Sequence, residues 1–169
     1  MSHVDTVLEQ WNKEKPDLDV SSMGLTGRLK RIGRLLEREM EKVFNEHGLT
    51  LANFDVLATL RRSGSPYRLS PGELLQKTMV TSGTMTHRVD QLVKANLVQR
   101  VQNPDDGRSV LIELTQGGLK LIDSAVIHHV ANLDRLTGSL NENEFLKFDR
   151  LLEKYLSSLE AVDSETIGS

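Results

Sequence analysis

The hydrophobic residues of the chain recur at spacings of three and four over most of its length, which predicts a mainly helical protein. A short amphipathic helix is expected from Val4 to Lys15, where Pro16 stops it. A long helix follows, which we expect Ser22 to cap and Gly48 to end. Its apolar stripe consists of Leu25, Leu29, Ile32, Leu36, Met40, Val43 and Phe44.

The next segment carries two further helix-start signals. Thr50 is placed to cap a helix that ends at Gly64. Its inward side is formed by Phe54, Val56, Leu57 and Leu60. The run Ser70–Glu73 combines a capping box with proline at the first helical position, so a short helix is expected from Pro71 to about Lys77.

A helix-turn-helix and a wing are expected after that. A helix from about Ser82 to Asn96 would follow the short one across a tight turn. Its apolar side carries Met85, Val89, Leu92 and Val93. The pattern then alternates in residues 97–102 and again in 110–114, which predicts two strands. Residues 103–109 are rich in turn formers, so the strands form a hairpin.

The rest of the chain reads as two helices. The first starts at Thr115 and ends at Gly138, and the second is opened by Asn141 and Glu144 and frays after Val162. The predicted fold class is mainly α with a small β-hairpin (α+β), a winged helix-turn-helix between N- and C-terminal helices. We divide it into an N-terminal helical segment (1–49), a winged helix-turn-helix (50–118) and C-terminal helices (119–169).

Composition excludes several classes of function. The 169 residues include no cysteine, so disulfides, thiolate metal sites and cysteine nucleophiles are excluded. No apolar run approaches the roughly 20 residues of a membrane span, and a cytoplasmic protein without membrane contact is expected. The net charge of −3 conceals an asymmetry, since only the segment 50–118 has more basic than acidic residues. Phosphate binding depends on such local placement.

The helix from Ser82 carries hydrogen-bonding side chains opposite its apolar side, which suits a helix in a DNA major groove. An ordinary exposed helix face is the alternative. At the hairpin, Arg108 could reach the minor groove with Asp106 orienting it, or the two could form a surface ion pair. The predicted DNA-binding residues are Thr81, Ser82, Thr84, Thr86, His87, Gln91, Lys94, Asp106 and Arg108.

The chain resembles the MarR family of bacterial transcription regulators over roughly residues 25–160. The resemblance is carried by Phe54–Leu57, Leu69–Pro71, Thr81–Thr86, Arg88–Leu92, Asp106–Ser109 and the pair Leu114-Thr115. It implies a homodimer held by interleaved N- and C-terminal helices and a palindromic operator in double-stranded DNA. It also implies a repressor that leaves DNA when a small phenolic or anionic effector binds.

A finer similarity is to the urate-responsive branch of that family. It rests on Trp11, Asp55, Arg88 and Arg100. The resemblance implies that the tryptophan and the arginines contact the effector, while the aspartate and an arginine tie the recognition helix to the scaffold. A flat anion suits aromatic stacking and bidentate arginine contacts. The alternative is a structural ion-pair network with a tryptophan in the core.

The remaining candidates favour neither a metal site nor an enzyme. The adjacent His128 and His129 would point about 100° apart on a helix. Asp105 and Asp106 lie in a turn where nothing would raise a carboxyl pKa. No phosphate loop or catalytic triad pattern appears, so no catalytic residue and no cofactor is predicted. The alternative to an effector-controlled regulator is a winged-helix interaction or architectural DNA-binding module without an effector.

Overall fold

The computed structural model of the protein describes residues 2–78, 82–104 and 106–167. These residues form seven helices and three strands, which confirms the predicted fold class. In chain order the elements are α1 His3–Glu14, α2 Ser21–Glu46, α3 Leu51–Arg62, β1 Arg68–Leu69, α4 Pro71–Lys77, α5 Ser82–Lys94, β2 Val98–Gln102, β3 Val110–Leu114, α6 Gln116–Thr137 and α7 Glu142–Ile167. They divide into two compact units, Met1–Asn132 and Leu133–Ser169.

The N-terminal helix α1 packs on α2 through a close contact and an ion pair. Leu8 of α1 fills the space beside Gly24, where an added Cβ would come within 3.0 Å of it. Ser2 caps α1 in a capping box with Asp5. The Asp5 carboxylate also accepts a hydrogen bond of 2.6 Å from Arg28 on α2. The Asp5 carboxylate therefore caps the N-terminus of α1 and also joins α1 to α2.

The start of α2 differs from the prediction. Ser22 does not cap the helix, because α2 already begins at Ser21, and the residue at the N-cap position, Val20, has no capping side chain. Instead, Asp19 accepts a hydrogen bond of 2.9 Å from the backbone N–H of Ser21. That bond lowers the pKa of Asp19. Asp, Ser and Ser are all good capping residues, so the sequence alone could not choose among them.

The caps of α3 and α4 confirm the predictions. Thr50 accepts a hydrogen bond of 3.2 Å from the N–H of Asn53 at the start of α3. The hydroxyl of Ser70 accepts a bond of 3.2 Å from the N–H of Glu73, and the Glu73 carboxylate accepts one of 2.9 Å from the N–H of Ser70. Pro71 occupies the first turn of α4. These caps fix where the helix-turn-helix begins.

The wing belongs to a sheet of three antiparallel strands in the order β1-β3-β2. The two predicted wing strands are β2 and β3. The third strand, β1, was not predicted, because two residues are too few to show an alternating pattern. Its residues Arg68 and Leu69 pair with Glu113 and Ile112 of β3. The segment that leads into α4 is thus hydrogen-bonded to the wing.

The core of the first unit is built from α2 to α6 and the sheet. Its fully buried side chains include Phe44, Val56, Leu57, Leu60, Leu74, Leu92, Val98, Ile112 and Ile122. At the start of α6, Thr115 accepts a hydrogen bond of 3.0 Å from the N–H of Gly118. Gly118 is buried against the backbone carbonyl of Leu97. This contact joins α6 to the strand that follows α5.

The second unit contains the end of α6 and α7. Asn141 and Glu144 cap α7 reciprocally, at 3.0 and 2.9 Å, as predicted. Helix α7 continues past Val162 to Ile167, and the fraying of this end remains a prediction. Within the described ranges, we find no helix with the length and hydropathy to cross a membrane. The division at residues 49 and 118 remains a prediction.

Replacing Gly118 should destabilise the fold. A Cβ at this position would overlap the carbonyl oxygen of Leu97, which is backbone and cannot turn away. Overpacking of this kind costs about 1–3 kcal/mol, so Gly118→Ala should lower the free energy of unfolding in urea by that amount. Gly117→Ala is the control, since its Cβ would meet neighbours at 3.6 Å and beyond. Equal stability of the two variants would contradict this account.

Acid should release α1 from α2. Hydrogen bonds from Ser2 and Arg28 lower the pKa of Asp5 to about 2. Because this is below the unfolded value, the stabilisation is complete above about pH 4 and is lost as the pH falls through about 2. Trp11, the one tryptophan of the sequence, reports on α1 by fluorescence. We expect Asp5→Asn to show the acid spectrum already at pH 7, and Glu9→Gln to behave like the unmodified protein.

Candidate nucleic-acid interface

Helix α5 has one buried side and one exposed side. Met85 and Val89 are each 4% exposed, and Leu92 is 1% exposed. The other side is exposed and carries a hydroxyl, an imidazole, an amide and an ammonium group. These belong to Thr86, His87, Gln91 and Lys94. Donors and acceptors of this kind read base edges, and the cation suits a phosphate.

Three of the predicted DNA-binding residues cannot be placed in the same way. Thr81 lies outside the described residues. Ser82 and Thr84 belong to α5, but their side chains lie outside the described part of the structure. Their contacts with DNA remain predictions from the sequence.

The exposed side of α5 contains a hydrogen-bonded pair. The amide nitrogen of Gln91 lies 3.0 Å from Nε2 of His87, one helical turn away. An amide nitrogen can only donate, so the imidazole nitrogen is the acceptor. This hydrogen bond does not use the amide oxygen of Gln91 or Nδ1 of His87, so these two atoms can bind other groups. A base edge offers both a donor and an acceptor for such a pair.

An ion pair ties α5 to the wing. Arg100 on β2 donates a hydrogen bond of 2.6 Å to Asp90 on α5. This bond lowers the pKa of Asp90 below its usual value. Sequence analysis selected Arg100 and missed Asp90, because no spacing rule relates a helix residue to a strand residue ten positions later. The pair thus joins α5 to β2 of the sheet.

The wing loop is held by its own hydrogen bonds. The Asp106 carboxylate accepts a bond of 3.1 Å from the backbone N–H of Arg108, so it orients that residue through its backbone. Gln102 donates a bond of 2.8 Å to the carbonyl of Gly107. In the described part of the chain, the exposed Arg108 guanidinium forms no ion pair.

Arg100 also lines a groove between α4, α5 and the sheet. The groove encloses about 210 Å³. It is lined by Pro71, Met85, Thr86, Val89, Arg100, Val110 and Ile112. Among these lining residues Arg100 is the charged one, and most of the others are apolar. A small anion with a flat apolar body fits such a combination.

The other three predicted effector residues have different neighbours. Trp11 is 41% exposed on α1. Asp55 lies on α3 with its carboxylate 3.9 Å from the guanidinium of Arg62. Arg88 on α5 is half-buried, and its buried Nε has no hydrogen-bond partner among the residues that the structure describes. None of the three lines the groove of Arg100, so that groove does not unite the predicted set.

The histidines set aside by the sequence analysis have structural contacts. Nδ1 of His128 lies 2.8 Å from Nε2 of His47, which joins α6 to the end of α2. His129 packs against the rings of Phe44 and Phe54, with centroids 5.0 and 5.1 Å away. Burial lowers the pKa of His129. Among the residues that the structure describes, no three His, Asp or Glu side chains are grouped to hold a metal ion.

Comparisons with known sequences identify relatives over most of the chain. A family model described as MarR family matches residues 47–109. The HTH-type transcriptional regulator PecS of Dickeya dadantii (strain 3937) is 39% identical over 156 residues, which cover 90% of this chain and 94% of PecS. The multiple antibiotic resistance protein MarR of Escherichia coli (strain K12) is 30% identical over 76% of this chain and 90% of MarR.

Solved structures show the same fold. A mutant of E. coli MarR complexed with operator DNA matches with a TM-score of 0.67 and 26% identity, covering 86% of this chain and 97% of that one. BpsR of Bordetella bronchiseptica, whose DNA binding is regulated by 6-hydroxynicotinic acid, matches with a TM-score of 0.67 and 25% identity, covering 77% and 91%. The chain belongs to the MarR family and is a DNA-binding transcriptional regulator, not an enzyme.

Proposed function

We propose that the protein represses transcription by binding a palindromic operator as a homodimer, and that a small aromatic or organic anion such as urate releases it. The observation that carries this proposal is the two-sided burial of α5. Its apolar side is fixed in the core, so His87, Gln91 and Lys94 must face outward. In a bacterium, such a regulator works in the cytoplasm at the nucleoid.

DNA recognition would use α5 and the wing together. In helix-turn-helix dimers, the second helix of each subunit enters a major groove, and the half-sites lie about one helical turn apart. Arg108 would then enter the flanking minor groove, where negative potential attracts guanidinium. The complex of E. coli MarR with operator DNA supports this mode of binding. The proposed contacts of Thr81, Ser82, Thr84 and Thr86 come from the sequence.

Exposed apolar residues support a homodimer. In the first unit, α2 exposes Met23, Leu25, Ile32 and Leu35. In the second unit, α7 exposes Phe145, Leu146, Phe148, Leu151, Leu156 and Leu159. Large apolar side chains concentrated on single helices indicate a surface that a partner covers. A second copy is the proposed partner, and its two-fold symmetry explains the palindrome.

The effector would act through Arg100. An anion in the groove would compete with Asp90 for the guanidinium, and losing that ion pair would free α5 to move against the sheet. The resemblance to the urate-responsive branch implied that Asp55 binds an arginine near α5, whereas the carboxylate that binds Arg100 is that of Asp90. Regulation of BpsR by 6-hydroxynicotinic acid supports an aromatic acid as the effector class. Urate itself follows from the similarity at Trp11 and Arg88.

Single substitutions on α5 should separate base contacts from phosphate contacts. A palindrome selected by the protein from random duplex DNA is the probe. His87→Ala and Gln91→Ala should each weaken binding by about 1–3 kcal/mol and relax the preference at one base position. Lys94→Ala should weaken selected and unrelated DNA alike and reduce the salt slope by about one.

The control for this experiment is Lys120→Ala, which removes an exposed charge from α6. Sedimentation should show one dimer on each palindrome. Binding that depends on salt but shows no sequence preference would refute the repressor and favour the architectural alternative.

Urate should raise the melting temperature of the protein. A ligand at about one hundred times its Kd stabilises the native state by about 2.7 kcal/mol. Arg100→Ala, Arg88→Ala and Trp11→Phe should reduce the shift, while Lys120→Ala should keep it. Equal shifts in all four variants would disprove the pocket. No shift of the unmodified protein with urate or salicylate would remove the effector from the proposal.

A further inference from the structure

The last turn of α3 makes two contacts in different directions. Arg61 and Arg62 are consecutive, so their side chains leave the helix about 100° apart. One reaches α6 and the other reaches the end of α4. Neither residue was selected by the sequence analysis, because basic residues at the end of a helix usually serve only its dipole.

Arg62 binds the carboxyl end of α4. Its Nη2 donates a hydrogen bond of 2.6 Å to the backbone carbonyl of Lys77, the last residue of α4. Carbonyls in the last turn of a helix lack partners within the helix and carry partial negative charge, so a guanidinium is a strong donor to them. The carboxylate of Asp55 lies 3.9 Å from Nη1 on the other side. The guanidinium thus bridges α3 and α4.

Arg61 fastens the same turn to α6. Its Nε donates a hydrogen bond of 2.6 Å to Asp123, and its guanidinium carbon lies 4.9 Å from the centre of the Tyr67 ring. The turn that carries Arg62 is therefore fixed by the contacts of Arg61 with Asp123 and Tyr67, in addition to the burial of Leu57 and Leu60. Arg62 thus binds the end of α4 from a helix turn that is itself fixed in place.

The position of α4 matters because α5 begins soon after it. Ser82, the first residue of α5, is five positions from Lys77. So short a connection limits how far the start of α5 can move once the end of α4 is fixed. The contact itself is polar and well exposed, with 57% of the Arg62 side chain accessible. Exposed polar contacts contribute little to global stability, so its effect should fall on orientation.

We propose that Arg62 is a positioning residue for DNA recognition, which sets the start of α5 by holding the terminal carbonyl of α4. This inference rests on the proposed assignment of α5 as the recognition helix. It assigns Arg62 no contact with DNA. Its loss should impair the distinction between the right and the wrong sequence more than it impairs binding to DNA in general.

The test compares Arg62→Ala and Arg62→Lys with Arg31→Ala, which removes an exposed positive charge from α2 for which the described residues offer no ion-pair partner. Each variant is titrated with a palindrome selected by the unmodified protein and with a scrambled duplex, at several salt concentrations. Arg62→Ala should bind the palindrome about tenfold more weakly, because the start of α5 is no longer held in the orientation that the specific sequence requires. Its affinity for the scrambled duplex and its salt slope should not change.

Arg62→Lys should recover most of the lost affinity, because an ammonium group can also donate to the Lys77 carbonyl. Melting temperatures of all variants should agree within a few degrees. An equal loss on both duplexes, with a salt slope lower by about one, would show that Arg62 contacts a phosphate and would overturn the inference. Unchanged affinity of Arg62→Ala would overturn it as well. If the unmodified protein selects no palindrome, the proposed function fails instead.

Discussion

The arrangement of the DNA-binding unit depends on the burial of one side of α5. Met85, Val89 and Leu92 are almost completely removed from water, in a core that includes Val56, Leu57 and Leu60 of α3. Each such side chain contributes about 1.5–3 kcal/mol when buried, so turning the helix on its axis would be costly. The polar residues of α5 consequently face the solvent. Their outward direction is a product of the core rather than of any contact they make themselves.

Polar contacts then join α5 and α4 to the elements around them. Asp90 and Arg100 join the middle of the helix to the sheet, and Arg62 holds the end of α4 before it. All three side chains are substantially exposed, and ion pairs in such positions are worth little in global stability. The buried side chains therefore stabilise α5 and determine which of its sides faces the core. In the proposed mechanism, the weaker polar contacts set the angle between the helix and the sheet. A regulator benefits from this division, since an effector can alter the angle without unfolding the protein.

Much of the fold could be predicted from the sequence because its signals are local. Helical spacing predicted the other helices, the capping box with Pro71 predicted α4, and residues three positions apart predicted the caps at Thr50, Ser70 and Asn141. The failures have physical reasons too. The cap of α2 was ambiguous between Asp19, Ser21 and Ser22, and β1 is defined by pairing with a distant strand instead of by its own pattern.

The part of the candidate site that lies on one helix could be predicted from the sequence, while the contacts between elements could not. The exposed side of α5 follows from a single period, so Thr84, His87, Gln91 and Lys94 could be selected together from the sequence. The partners that join elements could not, because Asp90 with Arg100 and Arg62 with Lys77 meet only after folding. The four residues chosen by resemblance to the urate-responsive branch remain a prediction. Their neighbours differ in this structure, and only Arg100 lines the groove beside α5.

The three-stranded sheet has a consequence for how such regulators diverge. Because β1 is paired with β3, the ladder that carries the wing is anchored at its far edge, away from the loop of residues 103–109. Residues can be added to or removed from that loop without altering the pairing of any strand, since the register is set by the ladder. The reach of the wing loop can thus change while α5 keeps its place against the sheet.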